Sequence, residues 1–99
     1  MTTTLPTQEQ VNQVVAELAP DVVRIRMIIS TDSIGEPAIF FKGILSDEAA
    51  TREGFREVSV KAEARIKDWL GPDLIASHFP YFRWRLQSDQ AAWREASWE

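Results

Sequence analysis

The chain of 99 residues contains no cysteine. That excludes a disulfide framework, a thiolate metal site and a cysteine nucleophile, and it fits a reducing compartment. Histidine is nearly as scarce: His78 stands alone before an aromatic run and reads as a structural or exposed residue rather than a catalyst. A metal site would have to be built from carboxylates, and no Asp-rich loop of the calcium-binding kind is present. Gly35, Gly43, Gly54 and Gly71 are too scattered to make a phosphate-cradling loop. No apolar run approaches the roughly 18 residues of a membrane span, and MTTTLPTQEQ lacks the basic and apolar segments of a signal peptide. Acidic side chains near helix starts, such as Asp47 and Glu48, read as solvated charge. These absences lead to the expectation of a cytoplasmic, non-catalytic protein with no cofactor, no metal and no small-molecule substrate.

What is present suits one domain over residues 1–99, with 44% hydrophobic and 26% charged residues. Residues 7–19 place Val11, Val14, Val15 and Leu18 on one helical stripe, with Thr7 as N-cap and Pro20 closing the segment. Residues 22–30 alternate: Val23, Ile25, Met27 and Ile29 face one way, Arg24, Arg26 and Ile28 the other. Residues 38–45 repeat the pattern after the turn-rich STDSIGEP, so the two strands form a hairpin. A long helix is expected over 47–70, capped by Ser46 or Asp47 and ended by Gly71 and Pro72. Its buried stripe is Phe55, Val58, Ala62, Ile66, Trp69 and Leu70, and Gly54 is its weak point, costing about 1 kcal/mol relative to alanine. PDLIASHFP reads as a short turn or a single helical turn. Residues 81–88 form a third strand with Phe82, Trp84 and Leu86 inward, and 89–99 is a short aromatic tail.

The order α-β-β-α-β predicts an α+β, two-layer sandwich: a three-stranded antiparallel sheet with both helices on one face. The helical return makes the third strand parallel to the second. Placing it beside the first gives the order 2-1-3; placing it beside the second is the alternative. Val23, Ile25, Met27, Ile29, Ile39, Phe41, Leu45, Phe82, Trp84 and Leu86 are the expected sheet contribution to the core.

The other face is more informative. It carries Arg24, Arg26, Ile28, Phe40, Lys42, Ile44, Tyr81, Arg83, Arg85 and Gln87. Five of the chain's eleven basic residues are in this set, although the net charge is −4. A net negative charge argues against indiscriminate nucleic-acid binding, but charge can be segregated. Three readings follow: a solvated face whose arginines meet acids from loops or the tail, a docking surface for another protein or a second copy, or a platform for single-stranded RNA. Trp93 and Trp98, in QAAWREASWE, either fold back on the domain or anchor a partner. The candidate partner-binding set is therefore Arg24, Arg26, Phe40, Lys42, Tyr81, Arg83, Arg85, Trp93 and Trp98. A non-catalytic interaction module is the leading reading, with RNA binding and homo-oligomeric assembly as alternatives.

Three stretches, DVVRIRMIIS, GEPAIFFKGILSDEA and PYFRWRLQSDQA with a tryptophan near the end, resemble a group of small, mostly uncharacterised prokaryotic proteins. Those proteins tend to be encoded beside a helical HEPN-domain protein, a class that includes RNA-cleaving toxins. The resemblance spans Asp21 to Trp98 and implies an antitoxin-like or regulatory partner role in a bacterial two-gene module. It brings no functional residues with it.

Overall fold

The structure, a computed structural model, describes residues 4–99; Met1, Thr2 and Thr3, the start of the segment read for signal features, lie outside the described residues. The elements are α1 (Gln8–Leu18), β1 (Val22–Thr31), β2 (Pro37–Leu45), α2 (Asp47–Glu53), α3 (Phe55–Leu70), α4 (Pro72–Ser77), β3 (Phe79–Leu86), α5 (Gln87–Trp93) and a 3-10 turn, Ala96–Trp98. This is a small α+β fold.

Its sheet is mixed, not antiparallel throughout. β1 pairs antiparallel with β2, β3 pairs parallel with β2, and the order is β1-β2-β3. The expected 2-1-3 order fails for two visible reasons. Placing β3 beside β2 stacks an aromatic pair on each face: Phe40 on Tyr81 at 5.2 Å and Phe41 on Phe82 at 5.1 Å. Cross-strand pairs of this kind are a main source of sheet stability. The free edge of β1 is meanwhile occupied by α1. The Gln8 side-chain amide donates to the Ile25 carbonyl (2.7 Å), and the Met27 N–H donates to the Gln8 Oε1 (2.9 Å). A third strand there would have to displace it.

α1 starts with a reciprocal cap, since the Gln10 N–H donates to the Thr7 hydroxyl and the Thr7 N–H to the Gln10 Oε1. Its Val11 and Val14 and the Val58, Ala62 and Ile66 stripe of α3 join Ile25, Ile39, Phe41 and Leu45 of the sheet in one buried cluster. Each large side chain so buried contributes about 1.5–3 kcal/mol before entropy is counted.

Six of the ten expected sheet residues fall short of full burial: Val23 and Ile29 are exposed, and Met27, Phe82, Trp84 and Leu86 are half-buried against the cluster. A bulge between Val22 and Arg24 puts Val22 opposite Leu45 and turns Val23 outward. Ile29 is exposed and Met27 half-buried although their β2 partners Ile39 and Phe41 are fully buried, so the helical cover thins toward the β1 edge of the sheet. The single helix expected over 47–70 is two helices. Gly54, at φ 99°, ends α2 by donating its N–H to the Ala50 carbonyl, and Phe55, now at the start of α3, lies exposed. A positive φ is cheap only for glycine, so the weak point is where the chain turns. Gly71, at φ 84°, ends α3 as expected.

The third strand begins at Phe79 and ends at Leu86 instead of spanning 81–88. What was read as a tail is α5 and the 3-10 turn, both lying on the reverse face of the sheet. The two-layer sandwich therefore gains a partial third cover. Among the described residues no helix is long and apolar enough to cross a membrane.

Candidate interaction face

Residues paired across the strands share a face, so the register sorts the reverse side into rows across β1, β2 and β3. From the hairpin end they read Ser30–Ala38–Phe79, then Ile28–Phe40–Tyr81, then Arg26–Lys42–Arg83, then Arg24–Ile44–Arg85. The five basic residues picked out from sequence thus share one face, in two adjacent rows. These rows meet different fates.

The Arg24–Ile44–Arg85 row is engaged by the chain itself, with Ile44 buried and Arg85 largely so while the Arg24 side chain stays 43% exposed. Arg24 pairs with Glu99 at 2.7 Å, and Arg85 pairs with Glu95 at 2.9 Å while also donating to the Gln90 Oε1 at 2.8 Å. The Gln90 amide in turn donates to the Glu95 carbonyl, tying α5 to the turn. Trp98 is 5% exposed, with the Arg85 guanidinium 4.3 Å from its ring centre, and Ile44 beneath is 1% exposed. Of the two readings open for Trp98, folding back or anchoring a partner, its position is the first: it lies folded back on its own sheet. Trp93 does not; it is 66% exposed, with the Arg85 guanidinium at 5.9 Å from its ring.

The Arg26–Lys42–Arg83 and Ile28–Phe40–Tyr81 rows stay more open, with their outer members exposed and Lys42 and Phe40 half-buried. Lys42 donates to the Ser97 hydroxyl at 3.0 Å and leans toward the Trp98 ring. Among the described residues, no carboxylate comes within salt-bridge distance of Arg26, Lys42 or Arg83. Like charges directly opposite one another in a sheet are unfavourable, so this row has a standing demand for an anion. Beside it Phe40 and Tyr81 stack at an interplanar angle of 16°, and Phe79 meets Tyr81 edge-on at 5.1 Å. A cleft of about 310 Å³ lies between the Phe40–Tyr81 and Lys42–Arg83 pairs, floored by the strands at Phe41 and Phe82.

Two acids at the rim were not singled out from sequence. Asp32 closes the hairpin loop by accepting the Ile34 and Glu36 N–H groups on Oδ1, and its Oδ2 accepts the Tyr81 hydroxyl at 3.1 Å. Those bonds, the Glu36 N–H foremost, hold its carboxyl below the usual range, while the Asp32 hydrogen bond pushes the Tyr81 phenol up. The hydrogen bond and charge of Arg85 likewise lower Glu95, with a weaker pull from Lys42. Because Glu95 is lowered on folding, its contribution to docking the tail is present above the ordinary glutamate range. It is lost as pH falls through the lowered value. Acid titration followed by the Trp98 indole NMR signal should show the turn detaching before the sheet unfolds; detachment on raising the pH would contradict this.

Phe79 was missed because it was assigned to a turn, and Glu95 and Glu99 because their partners are remote in sequence. Among the described residues, no group of three or more His, Cys, Asp or Glu side chains is placed to hold a metal ion. Comparison of the chain with protein-family models, with curated proteins and with solved structures finds no match in any of the three.

Proposed function

We propose that this protein is a non-catalytic interaction module that binds another protein through the uncovered part of its reverse sheet face. One observation carries the reading: among the described residues no carboxylate pairs with the Arg26–Lys42–Arg83 row, which lies beside the apolar Ile28–Phe40–Tyr81 row. Arginine and aromatic side chains on one rigid sheet are what protein interfaces favour as anchors. The resemblance to proteins encoded beside HEPN-domain genes makes the product of the adjacent gene the first partner to try, with an antitoxin-like or regulatory role for the pair. The test is the mass in solution of the protein purified alone and with that product. A heteromeric complex that weakens in an Arg26→Ala, Arg83→Ala double variant supports the reading. A complex of equal strength with the double variant, or none, counts against it.

Self-assembly is favoured by a separate observation. Backbone groups alternate along a strand, so the Ile29 N–H and C=O point to the same free edge as the Met27 N–H that Gln8 satisfies. From Met27 to Thr31 that edge carries no charged side chain to discourage strand pairing. A dimer formed this way would appear in the mass of the lone protein and would be indifferent to Arg83→Ala.

A further inference from the structure

The open rows also specify the chemistry of their occupant, an inference that rests on the protein-binding reading above. We infer that they take an acidic segment of a partner protein, with carboxylates on the Arg26–Lys42–Arg83 row and one aromatic side chain in the cleft beside Phe40 and Tyr81.

The chain's own C-terminal segment is the template. On the adjacent row, Glu99 meets Arg24, Glu95 meets Arg85, Trp98 lies with its ring against Arg85, and Ile44 between the two arginines is buried. Two carboxylates flanking one aromatic thus satisfy a row of two arginines around an apolar centre. Same-face rows are spaced by two residues, about 7 Å along the strands. A second acidic segment lying next to the tail would therefore meet the next row, which offers three cations where the engaged row offers two. The cleft between the aromatic pair and the Lys42–Arg83 pair, at about 310 Å³, leaves room for one large side chain.

Single-stranded RNA, which also brings negative charge and rings, fits less well. Phe40 and Tyr81 turn their faces to each other, so they offer ring edges instead of a flat stacking surface. Asp32 stands at one end of the open rows and Glu95 and Glu99 at the other, so a phosphate chain would pass carboxylates at both ends. An acidic peptide needs only to place its charges on the middle row.

The experiment pans a library of random linear peptides against the intact protein and against the Arg26→Ala, Arg83→Ala variant. Selected peptides and a labelled oligouridylate are then measured by fluorescence anisotropy. Both arginines are exposed and, among the described residues, make no ion pair, so the variant should melt at the wild-type temperature. The expected result is a consensus rich in Asp and Glu around an aromatic residue, with affinity reduced about tenfold or more in the variant. A neutral, apolar consensus that binds the variant equally well would overturn the acidic assignment and leave the protein-binding reading standing. No enriched peptide, with salt-sensitive oligouridylate binding lost in the variant, would overturn both.

Discussion

A Gly43→Val protein is expected to lose about 1.5–5 kcal/mol of folding stability, read as a lowered urea midpoint. Gly43 lies in the middle of β2, opposite Ile25 on one neighbour and Trp84 on the other. A Cβ built there would clash with the six-membered ring of Trp84. Trp84 cannot simply swing away, because its indole N–H donates to the Glu63 Oε1 at 2.8 Å and so ties β3 to α3. Overpacking of this kind costs about 1–3 kcal/mol. Losing a hydrogen bond to a carboxylate adds about 1.5–3 kcal/mol. Valine's preference for strands returns at most about 1 kcal/mol. Gly43→Ala introduces the same Cβ, so it should cost nearly as much; an alanine variant as stable as wild type would show that the ring does not lie on this strand.

Trp98→Ala should act differently. Truncating a buried tryptophan typically costs about 3–5 kcal/mol, but here the loss cannot exceed the free energy with which the tail is docked, since undocking is always open to the chain. We expect about 2–3 kcal/mol, with the main consequence on the surface. Glu95 and Glu99 lose their fixed positions, and Arg24, Arg85 and Ile44 join the open rows. Hydrogen exchange should speed up in α5 and the turn while β2 stays protected. Uniform loss of protection across the sheet would instead mean that the tail is part of the core.

How much of this was legible in the sequence depended on the range of the information. Alternation in AIFFKGIL and in YFRWRL is local, and it correctly put Ile39, Phe41 and Leu45 beneath the helices and Phe40, Lys42, Tyr81 and Arg83 behind them. Around VVRIR alternation can be counted from either valine, so nothing marked Val23 as the bulged residue. Strand order is not local at all. One signal did bear on it: β1 and β3 each carry two arginines, whereas β2 carries only Lys42, and the least charged strand is the central one. The Phe79 edge contact was invisible because a strand start next to His78 and Pro80 looks like a turn. In the tail, Glu95, Trp98 and Glu99 gain meaning only once Arg85 and Arg24 are known to share a row.

The proposed docking surface rests on that separation between a row the chain engages itself and a row it leaves open. Arginine footprinting with a dicarbonyl reagent, read by peptide mass spectrometry, tests it most directly. In the lone protein Arg26 and Arg83 should react readily while Arg85, only 16% exposed in its side chain, is slow. In a complex with a protein partner or a selected peptide, Arg26 and Arg83 should become protected while Arg56 on α3 reacts as before. Undiminished reactivity of Arg26 and Arg83 in such a complex would contradict the account.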